Sequence, residues 1–188
     1  MSGPLFLLLE KRTGSTKGAV AAVTEVAERL GITSPQATDE QLSGLALCRK
    51  GEPLEAVSKY LTWKDFEGFC SNILRAKGYR VRENIYLKKP RAQIDVLGVS
   101  DRISLAVDCK HWTRTPGYSS LGKLVEAQKA RASRLHDTLD RIGPIATAIL
   151  TLVDQGARFV DGGAVVPIFA FPDFLDNIEA HETRLDLV

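Results

Sequence analysis

The sequence predicts an α/β protein in which a mixed central sheet is flanked by helices and preceded by a small all-α unit. Helix start and stop signals dominate the first 61 residues, strand-like apolar runs begin near residue 79, and an amphipathic helical segment divides those runs into two groups. The 188 residues suffice for one well-cored domain, or for one domain with a small appendage. We predict a helical unit at 1–61 and an α/β domain at 62–188.

The amino-terminal unit carries signals for three helices, at about 17–30, 39–50 and 53–61. Residues 23–33 resemble the first helix and turn of a helix-turn-helix domain. The next segment, 34–38, delays the following helix, and that helix offers no basic face for reading DNA. The pattern therefore favours a packing or protein-contact role over a DNA-reading role.

A longer amphipathic helix opens the α/β domain. Thr62 and Asp65 have the spacing of a capping box, and the helix ends at Lys77 before Gly78. Glu67 borders the apolar stripe of this helix, so its carboxylate can reach the edge of a sheet packed beneath it. The alternative interpretation is a surface glutamate at the border of the helix.

The strands fall into two groups. Runs at 79–87, 92–99 and 103–110 are joined by short loops, which predicts an antiparallel meander. A helix intervenes before the next apolar run, which predicts a parallel connection. The remaining predicted elements are this helix at about 121–139, buried strands at 145–153 and 164–170, and a terminal helix from Pro172.

Charge is distributed unevenly along the chain, although the net charge is only +2. Residues 75–134 hold fourteen Lys or Arg against five acids, a net charge of +9, whereas residues 135–188 sum to −6. A basic segment of this size predicts a polyanionic partner, of which nucleic acid is the commonest. The alternative is a solvated basic face.

The three cysteines stand at no metal-ligand spacing, which favours a reducing compartment and hence an intracellular, cytoplasmic protein. The apolar run at 5–9 is too short to cross a bilayer, has no basic region before it and is followed at once by charged residues. We therefore expect neither secretion nor insertion into a membrane.

Two carboxylates interrupt the apolar runs of the second and third strands, where charge is seldom buried without a partner. If the two strands pair about a tight turn at 100–103, Asp95 falls opposite Asp108, with Cβ atoms about 5 Å apart. Side-chain alternation places Lys110 on the face of Asp108 and turns Cys109 the other way.

Two carboxylates this close repel each other unless a cation lies between them. Hard oxygen ligands without His or Cys favour Mg²⁺ or Mn²⁺, which can neutralise charge on a phosphoryl oxygen and activate a bound water. A nearby ammonium group such as that of Lys110 can orient this water or accept its proton. The alternative is a simple salt bridge between Lys110 and Asp95 or Asp108 at the edge of the sheet.

Glu67 in the first helix, Asp95 in the second strand and Asp108-Cys109-Lys110 in the third resemble the PD-(D/E)XK nuclease superfamily. Mrr-like restriction endonucleases and archaeal Holliday-junction resolvases are the most similar branches. The resemblance covers residues 62–178 and implies a restriction-endonuclease-like α-β-β-β-α-β-β core. Ile94 stands where the family motif has Pro.

This resemblance also implies roles for the site residues. Asp95 and Asp108 would hold the metal together with the backbone carbonyl of Cys109, and Glu67 would hold it directly or through water. Lys110 would serve the attacking water. Eight residues are predicted to contact nucleic acid: Lys88, Lys89, Arg91, His111, Arg114, Lys123, Gln128 and Arg131.

Gln128 and His111 are assigned on separate grounds. Gln128 matches a glutamine that some branches of the superfamily place near the site. His111 and Trp112 can instead cap the end of the third strand, and this interpretation is favoured.

These observations predict a magnesium-dependent (or manganese-dependent) DNA endonuclease. Duplex, junction and branched DNA all stay open as substrates, and so does RNA. A homodimer is expected if both strands are cut symmetrically, because that requires two sites related by a twofold axis. The alternative from another class is a non-catalytic nucleic-acid-binding or complex-assembly protein that retains the fold.

Overall fold

The computed structural model describes most of the chain. The described residues are 3–33, 37–52, 54–57, 60–110, 112, 116–139, 142–152 and 156–188. Four residues with sequence-based predictions lie outside these ranges: the helix start at Pro53, the strand end at Val153, and the proposed nucleic-acid contacts His111 and Arg114.

The amino-terminal part is helical, as the sequence predicts. Its helices are α1 (Pro4–Thr13), α2 (Thr16–Leu30), α3 (Asp39–Arg49) and α4 (Leu54–Val57). The sequence did not predict α1. Its amino terminus follows Gly3, which has no side chain to cap the helix. The Glu40 carboxylate of α3 does so instead, accepting hydrogen bonds from the backbone N–H groups of Leu5 (2.6 Å) and Phe6 (3.2 Å).

The α/β part follows the predicted order with one additional strand. Its elements are α5 (Trp63–Ala76), β1 (Arg80–Leu87), β2 (Ala92–Val99), β3 (Ser104–Lys110), α6 (Tyr118–His136), β4 (Ile145–Thr151), β5 (Arg158–Val160), β6 (Gly163–Pro167) and α7 (Phe171–Asp176), with 3-10 turns at Ile168–Ala170 and Ile178–Arg184. The predicted strand at 164–170 is shorter in the structure, because the backbone turns after Pro167, which has no N–H to extend a ladder.

The six strands form one mixed sheet in the order β1-β2-β3-β4-β6-β5. β1, β2 and β3 are antiparallel, and β4 runs parallel to β3, as predicted. Val96 pairs with Val107 and Leu97 pairs with Ala106, which is the register expected for a turn at 100–103.

Helices cover both faces of the sheet. On one face α5 packs on β1, β2 and β3, and a single apolar core there includes Leu5, Leu45, Phe66 and Val107. This core therefore joins the amino-terminal helices to the sheet, and the division at residue 61 stays a prediction. On the other face, α6 packs through Ala132 and other apolar residues.

The hydrogen-bonded ladder between β1 and β2 is interrupted at one place. Glu83 pairs with Val96 and Ile85 pairs with Ile94, but the intervening Asn84 and Asp95 are skipped. Asn84 has a positive φ of 53°, which turns the strand at this point. Asp95 itself therefore has no regular ladder partner on β1 or on β3, although Ile94 and Val96 beside it are paired.

No helix within the described ranges is long and apolar enough to cross a membrane.

Glu40→Ala removes the carboxylate that caps α1, and we expect it to lower the free energy of unfolding by about 1–2 kcal/mol. Denaturant unfolding measures this loss. Glu28→Ala is the matched control, because Glu28 is exposed on α2, and it should change stability by less than about 0.5 kcal/mol. An equal effect of the two substitutions would mean that water caps α1 as well as Glu40 does.

Candidate active site

Asp108 lies near the carboxyl end of β3 and is only 5% exposed. The Nζ atom of Lys110 is 2.8 Å from its Oδ2 atom, so the two side chains share one face of the strand, as predicted. Cys109 between them packs against the core on the side of α5. The alternation of β3 thus separates the charged pair from the thiol.

A second cation reaches Asp108 from α6. The Nη1 atom of Arg131 lies 3.4 Å from Asp108 Oδ1 and donates a 2.8 Å hydrogen bond to Gln128 Oε1. Gln128 is fully buried, and its Nε2 atom has no hydrogen-bond partner among the described residues. Gln128 is buried between α6 and the sheet, where its side chain positions Arg131 through this hydrogen bond. Its side chain is therefore not exposed on the surface predicted to contact nucleic acid.

The sequence did not predict that Arg131 contacts Asp108. The spacing of the two residues could have indicated this contact. Arg131 follows Gln128 by three residues, so it lies one helical turn further along the same side of α6, near the residue already expected at the site.

Asp95 joins the site through the main chain. Its Oδ2 atom accepts a 2.9 Å hydrogen bond from the backbone N–H of Cys109. The carboxylate thereby replaces a ladder partner just beyond the last regular pair, Val96 and Val107. Burial raises the pKa of Asp95, the bond from Cys109 opposes that rise, and the charge of Asp108 adds to it.

Glu67 approaches from α5. The predicted capping box is present, with Thr62 and Asp65 bonding each other's backbone N–H groups, and it fixes where this helix begins. Glu67 is 8% exposed. Burial raises its pKa from the usual 4.5 to about 7, and the largest contributing charge is that of Asp95, followed by those of Glu83 and Asp108. The interpretation of Glu67 as a surface glutamate is therefore wrong for this structure.

The chemistry of these donors fits a hard divalent cation. Glu67, Asp95 and Asp108 offer carboxylate oxygens, and the raised pKa values of Glu67 and Asp95 report negative charge that a cation would stabilise. Within the described residues, no three acidic, thiol or imidazole side chains are grouped at metal-ligand spacing. Lys110 and Arg131 hold Asp108 in this conformation, so a metal would compete with them for its oxygens.

The predicted basic surface is only partly free of acidic partners. Seven cations of the basic segment at 75–134 pair with acids within the described residues: Arg75 with Glu83, Lys77 with Asp176, Arg80 with Asp101, Arg102 with Glu179, Lys110 and Arg131 with Asp108, and Lys129 with Asp186. The turn from β1 to β2 differs, because Lys88, Lys89 and Arg91 are exposed and form no ion pair within the described part of the chain. Lys123 on α6 is also exposed.

The turn from β1 to β2 and the carboxylates lie at the same end of the sheet. Asp95 stands three residues after Ala92, where β2 begins, and Asp108 stands near the end of the antiparallel β3. Arg134 on α6 donates a 2.6 Å hydrogen bond to the carbonyl of Pro90 and so ties the turn to the helix that carries Arg131.

Glu67→Gln tests the electrostatic strain at the site. The pKa of Glu67 lies near 7 in the folded state and near 4.5 in the unfolded chain, so the unfolded chain loses this proton first as pH rises. The free energy of unfolding of the wild type therefore falls by up to about 3 kcal/mol between these two pH values. In EDTA we expect Glu67→Gln to match the wild type near about pH 4.5 and to be more stable at about pH 8.

Denaturant unfolding across this range measures the difference. Glu28→Gln, a change at an exposed glutamate of α2, is the control and should show none. Parallel stability curves for Glu67→Gln and the wild type would contradict a raised pKa.

Comparisons with known proteins agree with this geometry. Residues 58–136 match the model of the Mrr_cat family, described as a restriction endonuclease. An uncharacterized protein of Archaeoglobus fulgidus is 28% identical over 122 residues, which cover 63% of this chain and 92% of the relative. No solved structure matches the chain.

The matched segment contains α5, the three-stranded meander and α6, and therefore all the residues of the site. It confirms the resemblance indicated by Glu67, Asp95 and the Asp108-Cys109-Lys110 motif, and the mixed sheet agrees with the fold expected from it. The match at residues 58–136 is therefore to a restriction endonuclease domain and is consistent with the PD-(D/E)XK nuclease superfamily.

Proposed function

We propose that this protein is a divalent-metal-dependent endonuclease that hydrolyses phosphodiester bonds in DNA. The observation that carries the proposal is the convergence of three strand residues: Lys110 contacts Asp108, and Asp95 binds the N–H of the residue between them. The match to a restriction endonuclease family supports the same reaction class.

Asp95 and Asp108 would hold Mg²⁺ or Mn²⁺, with Glu67 as a direct or water-mediated ligand. The carbonyl of Cys109 is the fourth proposed ligand. In an antiparallel ladder the N–H and C=O of one residue point toward the same neighbouring strand, so the bond from Cys109 to Asp95 favours a carbonyl directed to β2. When bound, the metal would neutralise charge on a phosphoryl oxygen and lower the pKa of a water molecule.

Lys110 would orient the attacking water and stabilise the charge that develops at phosphorus. Its position beside Asp108 keeps the ammonium group at the site. Arg131, held by Gln128, offers a second positive charge on the side of α6. If Lys110 or Arg131 moved away from Asp108, its positive charge could contact a phosphate.

Substrate phosphates would be bound by the basic turn between β1 and β2, through Lys88, Lys89 and Arg91. The predicted contacts of Lys123, His111 and Arg114 would extend this surface. Such contacts position a nucleic acid without reading its sequence.

A non-catalytic nucleic-acid-binding protein is the second candidate. The pairing of Asp108 with Lys110 and Arg131 favours it, because a purely structural salt bridge has the same geometry. The two candidates differ in whether the carboxylates act on the bound nucleic acid.

Asp108→Ala and Lys110→Ala should each lower Mg²⁺-dependent nicking of plasmid DNA by at least about a hundredfold, since each removes a metal ligand or a charge that acts in the transition state. Asp101→Ala is the control, because Asp101 is exposed in the turn at the opposite end of the sheet. Cleavage that persists in both variants would refute the site, and binding without cleavage by the wild type would favour the second candidate.

Lys88→Ala, Lys89→Ala and Arg91→Ala should weaken DNA binding equally for different sequences, because they remove phosphate contacts. Each should reduce the slope of log affinity against log salt concentration by about 0.9 per lost contact. Fluorescence anisotropy in EDTA measures this slope without cleavage. Arg80→Ala, at the opposite end of β1, is the control. Unchanged slopes in all three variants would remove the turn from the binding surface.

A further inference from the structure

Several large aromatic side chains are exposed in the described part of the chain. Trp63 is 60% exposed, Tyr86 66% and Tyr118 65%. Exposed apolar patches mark binding surfaces, and Trp and Tyr side chains are enriched at interfaces. Trp63 and Tyr86 stand out because Trp63 begins α5, the helix that carries Glu67, and Tyr86 lies near the end of β1, beside the start of β2.

Trp63 is the first residue of α5 and precedes Glu67 by four residues. Residues at this spacing lie on one face of a helix, about 5 Å apart along its axis. The indole therefore stands one turn beyond Glu67, at the same end of α5. Lys64 beside it is exposed and adds a positive charge.

Tyr86 flanks the site from β1. It pairs directly with Gln93 of β2, so the two side chains lie on one face of the sheet. Gln93 precedes Asp95 by two residues on β2, so Tyr86 lies at the end of the sheet where Asp95 stands. The Gln93 Nε2 atom donates a 3.0 Å hydrogen bond to Asn84 Oδ1 and braces this surface.

We propose that Trp63 and Tyr86 form a stacking platform for unpaired bases, so that the substrate is DNA with a single-stranded segment or unstacked nucleotides at the point of cleavage. This inference rests on the proposed function and names its substrate class. Aromatic side chains bind nucleic acid by stacking on the faces of bases, and in a fully paired duplex those faces are already covered.

The distribution of charge favours a nucleic-acid strand as the occupant. Tyr86 is followed closely by Lys88, Lys89 and Arg91, and Trp63 by Lys64, so each ring has cations beside it that can contact phosphates. A second copy of the same face would bring these like charges together about a twofold axis, which opposes a symmetric dimer there.

The first test compares ligands of about 12 nucleotides by fluorescence anisotropy in EDTA: a single strand, an abasic strand of equal length, and a blunt duplex. We expect Trp63→Ala and Tyr86→Ala each to weaken single-strand binding by about fivefold to a hundredfold. Binding of the abasic strand should stay unchanged, because it offers no base to stack. Tyr118→Ala is the matched control, since Tyr118 is equally exposed on α6.

A second test observes stacking directly. The chain contains two tryptophans, so Trp112→Phe leaves Trp63 as the single indole. Titration of this variant with the single strand should quench the indole emission with the midpoint seen by anisotropy, whereas the abasic strand should bind without quenching. Bound single strand without quenching, or equal loss of affinity for abasic and normal strands in Trp63→Ala, would overturn the platform.

Failure of the platform is distinguishable from failure of the proposed function. If the wild type nicks plasmid DNA with Mg²⁺ but the aromatic variants bind single strands normally, the platform is wrong and the nuclease assignment stands. If the wild type cuts no substrate but loses single-strand binding on Trp63→Ala, the platform stands without the nuclease. Sedimentation that shows a wild-type dimer and a Trp63→Ala monomer would assign the indole to self-association and overturn the platform.

Discussion

The hydrogen bond from the Cys109 N–H to the Asp95 carboxylate is the contact on which the candidate site depends. It stands where a regular backbone pair between β2 and β3 would otherwise continue, so a side chain takes the place of a main-chain partner. The same interruption reaches β1, where Asn84 adopts a positive φ. This contact thus lies where the β2–β3 ladder ends and where the β1–β2 ladder is interrupted, and it gives the half-buried carboxylate a hydrogen-bond donor.

Electrostatic strain follows from that arrangement. Burial raises the pKa of Glu67 and of Asp95; the charge of Asp95 adds to the rise at Glu67, and the charge of Asp108 adds to the rise at Asp95. Lys110 and Arg131 compensate the charge of Asp108. The charged side chains of the site therefore stabilise the folded protein less than apolar residues in the same positions would. Such a loss of stability is common at catalytic sites.

The parts of this site that the sequence could predict are those set by local geometry. The turn at 100–103 fixes the register of β2 on β3, and strand alternation then separates Lys110 from Cys109. The hairpin strand β5 was missed although Asp161-Gly162, both with positive φ, is a typical two-residue hairpin turn. The cap on α1 by Glu40 and the approach of Arg131 depend on distant elements, and no local pattern encodes them.

Long-range pairing also changes the meaning of the charge asymmetry along the chain. Ion pairs such as those of Lys77 with Asp176 and Lys129 with Asp186 join the basic segment to the acidic carboxyl-terminal segment. Part of the excess charge in each segment is therefore neutralised by the other segment. Exposed pairs of this kind contribute little to stability. The positive charge left without an acidic partner in the described chain includes the turn from β1 to β2, beside the carboxylates. In the folded protein, unpaired positive charge therefore lies at the end of the sheet that carries Asp95 and Asp108, where the backbone of a bound nucleic acid would lie.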